Sequence, residues 1–113
     1  MSKKRYIITC TAFDRSGRVI SVANNSYTDS SRLMRHFARL AGEPFKVKNH
    51  AEIWCIDKAM KQGKIVHSLV VTRFDSFGNM KSAKPCKTCN TAINYFKIKN
   101  VYFSTEDKGM VKL

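Results

Sequence analysis

The sequence predicts an α/β domain in which helices pack against the faces of one mixed β-sheet. Three observations support this: β-rich runs, segments with helical spacing of apolar residues, and the interleaved order of the two along the chain. The predicted order is β-β-α-α-β-α-β, followed by one short strand. With 43% hydrophobic residues in 113, the chain can build a core, and residues 1–113 are expected to form one domain.

The first two strands are predicted to form a hairpin. Residues 4–13 are rich in Ile, Thr and aromatic side chains, and residues 18–23 form a second β-rich run. Between them, the sequence Asp-Arg-Ser-Gly at 14–17 has the composition of a tight turn.

Two helices are predicted to follow the hairpin. Ser30 or Ser31 can cap the first, which ends at Gly42 and Pro44, and the second spans about residues 51–62 and ends at Gly63. Apolar residues recur at three- and four-residue steps in both: Leu33, Met34, Phe37, Leu40, Ile53, Ile56, Ala59 and Met60.

The second half of the chain supplies three further strands and a third helix. Residues 67–74 are apolar without clear alternation, which predicts a strand covered on both faces. Residues 75–84 are predicted as a loop, and a helix is expected from Pro85. Residues 101–104 and 110–113 complete the sheet.

The net charge of the chain indicates which classes of ligand it can be expected to bind. It carries 21 basic and 8 acidic residues, a formal charge of +13, which favours nucleotides or nucleic acids as ligands. A basic surface that only aids solubility is the alternative. No apolar run reaches the length of a membrane span, and the start of the chain lacks a signal peptide, so we expect a soluble intracellular protein without a membrane partner.

Two of the four cysteines have a spacing that indicates chemistry. Cys86 and Cys89 form a C-x-x-C pair, which in an intracellular protein is typical of metal or redox sites. Cys10 and Cys55 have apolar neighbours and are predicted to be core thiols.

His50 and Glu52 lie at a second predicted helix start. One imidazole and two thiolates are three of the four ligands of tetrahedral Zn²⁺, and a catalytic zinc keeps the fourth position for water. The 33 residues between Glu52 and Cys86 are enough to bring the two helix starts together. Glu52 can then accept a proton from the water without binding the metal.

These segments resemble the H-x-E and P-C-x-x-C signature of the cytidine/deoxycytidylate deaminase superfamily. The similarity continues through residues 18–27, 84–93 and 98–102, and it covers roughly residues 6–104. Within the superfamily the chain is most similar to short phage-type relatives of deoxycytidylate deaminase.

The resemblance implies a three-layer α-β-α fold with a mixed five-stranded sheet, a homo-oligomer, and the cytoplasm, possibly that of a phage-infected host, as location. It implies that Glu52 is the proton shuttle and that the Zn²⁺ ligands are His50, Cys86 and Cys89. The remaining residues implied to contact substrate are Asn25, Asn24, Ala51, Ala83 and Lys84.

Three functions stay open from the sequence. The first is hydrolytic deamination of cytosine to uracil in a nucleotide such as dCMP, and the second is deamination of cytosine or adenine within single-stranded DNA or RNA, including tRNA. The third is a zinc-bound nucleic-acid-binding protein without catalysis, which the presence of Glu52 disfavours. Lys46, Lys48, Lys84 and Lys87 flank the metal segments and are either phosphate ligands or solvated lysines.

Overall fold

The computed structural model describes residues 6–113 of the chain. Its elements are, in order, β1 (Ile7–Phe13), β2 (Val19–Asn24), α1 (Arg32–Leu40), α2 (Ala51–Lys61), β3 (Ser68–Phe74), β4 (Met80–Lys81), α3 (Lys87–Tyr95), β5 (Asn100–Ser104) and β6 (Met110–Lys112). The predicted α/β class and the order of the main elements are confirmed.

One mixed sheet organises the chain. The strands follow the order β2-β1-β3-β5-β6, and β4 pairs with β3 outside this path. Only β3 and β5 are parallel among the described pairs, and α3 lies in the connection between them. This connection places the start of α3 near the C-terminal end of β3.

The β1–β2 hairpin has the predicted turn. Asp14 Oδ1 accepts hydrogen bonds from the backbone N–H groups of Ser16 and Arg18, both at 2.9 Å. Gly17 has a φ of 85°, a conformation that residues with a Cβ rarely adopt. The predicted first strand began at residue 4, and its residues 4 and 5 lie outside the described part of the chain.

All three helices lie on one side of the sheet. α2 packs against β1 and β2, and α1 contacts both α2 and α3. The ring of Phe37 in α1 makes edge-to-face contacts with Tyr95 and Phe96 at the end of α3. These contacts fix α1 on the same side as α3.

Within the described residues the helices therefore form one layer, whereas the resemblance implied helical layers on both faces of the sheet. The side chains that face the helices, such as Leu69 and Val71, are fully buried. On the opposite face Val22 is 47% exposed and Tyr102 is 37% exposed, and Val70 in the central strand is only half-buried. β3 was expected to be covered on both faces, and instead it alternates between buried and half-buried positions.

The strand count also needs correction. Residues 75–84 were predicted as a loop, but they fold back as a hairpin whose second arm is the two-residue strand β4. The sheet therefore has six strands and not five. Asp75 Oδ1 holds the turn by accepting from the N–H groups of Phe77 and Asn79.

The core thiols are where the sequence predicted them. Cys10 in β1 and Cys55 in α2 are both fully buried. Cys55 also joins α2 to β2, because its carbonyl accepts a hydrogen bond from Ser21 Oγ at 2.8 Å.

Candidate metal centre

Two helix starts carry the predicted metal ligands. His50 is the N-cap residue of α2 and Cys86 is the N-cap residue of α3. An N-cap side chain commonly bonds to the free N–H groups of the first turn. Neither His50 nor Cys86 does so. Their side chains are therefore available to each other and to a metal.

The three ligand atoms form a compact group. The ligand atoms of His50, Cys86 and Cys89 all lie within 4.8 Å of one another. His50 Nδ1 lies 3.4 Å from each of the two sulfurs. Tetrahedral zinc with ordinary Zn–S and Zn–N lengths requires a sulfur–nitrogen separation of about 3.6 Å. The donor set and its spacing thus fit Zn²⁺.

The electrostatics of the group favour a cation. Hydrogen bonds from Cys89 and then His50 lower the pKa of Cys86 to about 3, which favours the thiolate form of this sulfur. The negative Cys86 in turn raises the pKa of Cys89 and of His50. A divalent cation would supply the positive charge that lets both sulfurs ionise, and the positive ends of two helix dipoles act in the same direction.

Glu52 lies beside the three ligands without belonging to the group. Its side chain is only 6% exposed, and this burial raises its pKa above the ordinary value. A buried carboxyl with a raised pKa next to a metal site is suited to accept and return a proton.

A pocket of about 380 Å³ opens next to the metal ligands. Its size lies within the range of small-molecule sites. It brings together six of the residues that the sequence predicted for the site, His50, Glu52 and Cys86 among them, whereas Cys89 is fully buried and does not line it. The remaining lining residues are Tyr6, Ile8, Asn25, Ser26, Tyr27, Lys48, Asn49, Arg73, Ser82, Ala83 and Lys84.

Of the five residues predicted to contact substrate, three line the pocket and two do not. Asn25, Ala83 and Lys84 line the pocket. Asn24 does not, and its Oδ1 accepts a hydrogen bond from Thr9 Oγ1 at 2.9 Å. Ala51 is fully buried in the first turn of α2, away from the pocket lining.

Asn25 has a structural role that the sequence did not indicate. Its Oδ1 accepts from the N–H of Ile8 at 2.9 Å, and its Nδ2 donates to the carbonyl of Tyr6 at 3.3 Å. The side chain therefore fastens the segment after β2 to the start of β1. This fixes Asn25 at the pocket wall.

Asn49 and Arg73 are among the pocket residues that sequence reasoning missed. Asn49 precedes the metal-binding His50, and Arg73 lies at the end of β3. No local pattern marks either residue, because their place in the pocket results from the pairing of distant segments. Lys48 and Lys84 line the same pocket, two of the four lysines that the sequence placed beside the metal segments.

A hydrogen bond that the sequence did not indicate links α3 to the loop after α1. The fully buried Thr88, between the two cysteines, donates from Oγ1 to Glu43 Oε1 at 2.9 Å. This hydrogen bond and the nearby Lys46 lower the pKa of Glu43. The loop after α1 is thereby attached to the metal-binding helix.

A larger cavity of about 710 Å³ lies elsewhere, beyond the ends of α2 and α3. Its lining includes Arg15, Lys64, Lys97 and Lys99 but none of the candidate metal ligands. The volume of a cavity therefore does not identify the functional site in this molecule. The site is identified by the chemistry of its metal-binding atoms.

The sequence matches a family model over residues 2–105. The model describes the cytidine and deoxycytidylate deaminase zinc-binding region. The chain belongs to this family. It is accordingly a zinc-dependent deaminase of the cytidine/deoxycytidylate type, with His50, Cys86 and Cys89 as the residues that fit the metal. Among curated proteins none matches the sequence.

Solved structures show the same fold at low sequence identity. Cytidine deaminase from Mycobacterium leprae is 18% identical, with a TM-score of 0.57 over 96% of this chain and 75% of that one. A point mutant of cytidine deaminase from Mycobacterium tuberculosis is 14% identical, with a TM-score of 0.55 over 93% and 71%. The cytidine deaminase-like fold is thus confirmed, whereas the likeness to phage-type relatives stays a prediction.

No helix within residues 6–113 is both long enough and apolar enough to cross a lipid bilayer.

Proposed function

We propose that this protein hydrolyses the exocyclic amine of cytosine in a nucleotide such as dCMP, giving uracil and ammonia. One observation carries the proposal: an imidazole and two thiols lie within 4.8 Å of one another, beside a buried carboxyl, at a pocket of small-molecule size. The structural neighbours from Mycobacterium leprae and Mycobacterium tuberculosis are cytidine deaminases, which agrees with cytosine as the base.

His50, Cys86 and Cys89 would hold the zinc, which supplies a water of lowered pKa next to the substrate. Glu52 accepts the proton of that water and delivers protons to the ring nitrogen and to the departing amine. Burial at 6% exposure excludes bulk water as a competing proton source. Ala83 and Lys84 line the pocket, where their backbone can contact the exocyclic amine.

Charge at the pocket supports a phosphorylated substrate. Lys48 and Lys84 both line the pocket, and Lys84 is exposed. Two cations at the mouth attract a phosphate and orient it away from the metal. The bare nucleoside has no group that would use them.

The test is a substrate panel with a matched inactive variant. Zinc-loaded protein is incubated with dCMP, cytidine, single-stranded DNA and tRNA, and a mass gain of about one dalton marks exchange of amine for carbonyl. Glu52→Gln, which keeps the size of the side chain, should lower kcat by about 10²- to 10⁴-fold while zinc content is unchanged. Full activity of Glu52→Gln, or no product from any substrate, would contradict the proposal.

A second candidate is deamination of a base within a single strand. The formal charge of +13 favours it, because binding of a nucleic acid depends on many phosphate contacts. A steep fall of kcat/KM with added salt on an oligonucleotide, but not on dCMP, would support the polymer. The homo-oligomer and the cytoplasmic location stay predictions.

A further inference from the structure

Two buried side-chain atoms in the described chain have no hydrogen-bond partner. They are Asn49 Oδ1 and Arg73 Nε. Buried polar atoms in folded proteins are nearly always paired, and each exception calls for an explanation. Both residues line the same pocket as His50 and Glu52. Their coincidence in one pocket indicates a ligand that completes both.

Asn49 is held rigidly by its backbone. Its N–H donates to the carbonyl of Asp29 at 2.8 Å, and its carbonyl accepts from Ser26 at 2.9 Å. The residue is only 3% exposed, so its side-chain oxygen has little access to bulk solvent. An amide oxygen accepts hydrogen bonds, and its missing partner is therefore an O–H or N–H group.

Arg73 lacks a hydrogen-bond acceptor, whereas Asn49 lacks a donor. Its guanidinium stacks on the ring of Tyr6 at 4.0 Å, and Nη1 donates to the carbonyl of Ser82 at a long 3.4 Å. The Nε–H needs an acceptor, and the planar guanidinium is best matched by a carboxylate or phosphate. Lys48 and Lys84 at the same pocket add positive charge, while Glu52 is the one acidic residue of the lining. An anion is the partner that fits.

We infer that the pocket takes a phosphorylated pyrimidine nucleotide, in which Arg73 binds the phosphate and Asn49 accepts a hydrogen bond from the nucleoside half. This inference rests on the proposed deamination for the identity of the base. A terminal 5′-phosphate and an internal phosphodiester offer Arg73 the same oxygens.

The first experiment separates phosphate from nucleoside. For Arg73→Gln, kcat/KM for dCMP should fall roughly 10- to 100-fold, mainly through KM, while kcat/KM for deoxycytidine changes less than about threefold. Lys99→Gln is the matched control, because it removes one positive charge far from this pocket and should leave both substrates unchanged. Equal losses on dCMP and deoxycytidine in Arg73→Gln would overturn the assignment.

The same variant identifies the source of the phosphate. A trinucleotide with a central cytosine but no 5′-phosphate offers Arg73 only phosphodiesters. If Arg73→Gln weakens turnover of the trinucleotide but not of dCMP, the phosphate belongs to a strand. If it weakens dCMP, the phosphate is that of the mononucleotide.

The second experiment uses the missing partner of Asn49. Because its Oδ1 is unpaired, Asn49→Ala should leave the melting temperature of the ligand-free protein unchanged or higher, while kcat/KM falls roughly 3- to 10-fold. Asn25→Ala is the contrasting variant, since it removes an oxygen bonded to the N–H of Ile8 and should lower the melting temperature. An equal loss of stability in both variants, with no change in KM for Asn49→Ala, would show a structural role only.

A binding measurement keeps this inference distinct from the proposed function. If the zinc-loaded protein turns over no substrate, dCMP should still raise its melting temperature, deoxycytidine should raise it less, and Arg73→Gln should remove the difference. That result would retain the phosphate site and reject the deamination. Turnover of dCMP and deoxycytidine that is equally efficient in the wild-type protein and in Arg73→Gln would do the reverse.

Discussion

The contact between α1 and α3 makes Phe37 the most informative core position for the fold. The side chain is fully buried, and its ring meets Tyr95 at 5.4 Å and Phe96 at 5.7 Å, both edge to face. Truncation of a buried Phe to Ala generally costs about 3–5 kcal/mol, and the aromatic pairs place this site in the upper part of that range. For a chain of this size, about 4 °C per kcal/mol gives a fall in melting temperature of roughly 16–20 °C.

The assay is thermal unfolding of Phe37→Ala followed by circular dichroism, with zinc bound. Leu40→Ala in the same helix is the control, because Leu40 is 57% exposed and its truncation should cost less than about 0.5 kcal/mol. The zinc content of Phe37→Ala below its melting temperature should stay at the wild-type value, since Phe37 packs on the far end of α3. A loss below about 1 kcal/mol for Phe37→Ala would refute the placement of α1 against α3.

Three further outcomes follow from the structure. Cys86→Ser should lose zinc whereas Cys55→Ser, in the core, should retain it, as measured by metal content per chain. Chelation of zinc from the wild-type protein should lower its melting temperature, and free zinc at a thousandfold excess over its Kd should restore about 4 kcal/mol. Asp75→Ala should destabilise the β3–β4 hairpin, because hydrogen bonds from Asn79 and then Phe77 lower the pKa of Asp75 below its usual 3.8. That stabilisation is complete above the unfolded pKa and disappears as the pH falls through the folded one, so the difference between Asp75→Ala and wild type should vanish in acid.

The metal centre could be predicted from the sequence because its chemistry is local. Cys86 and Cys89 lie one helical turn apart, and His50 and Glu52 lie within two residues of each other, so the sequence contains each pair intact. The sequence does not show that the two pairs lie close together, and this follows only from the three-dimensional structure. The hairpin turn at residues 14–17 was predictable for the same reason, since its hydrogen bonds stay within five residues.

The parts that sequence reasoning missed depend on contacts between distant segments. Helical spacing in α1 shows that one face is apolar, but it does not show which side of the sheet that face meets, and the contact of Phe37 with α3 decides it. The strand β4 has two residues, too few for alternation to be visible. Arg73 and Asn49 become partners in a pocket only when β3 and the start of α2 are side by side.

The coordination of the metal tests the central claim most directly. X-ray absorption at the zinc edge of the purified protein should show one zinc per chain with two sulfurs at about 2.3 Å and two lighter atoms at about 2.0 Å, one of them exchangeable. Variants of His50 or Cys89 should each lose one of these ligands. A zinc held by four protein atoms with no exchangeable ligand, or a protein that binds no zinc, would contradict the account.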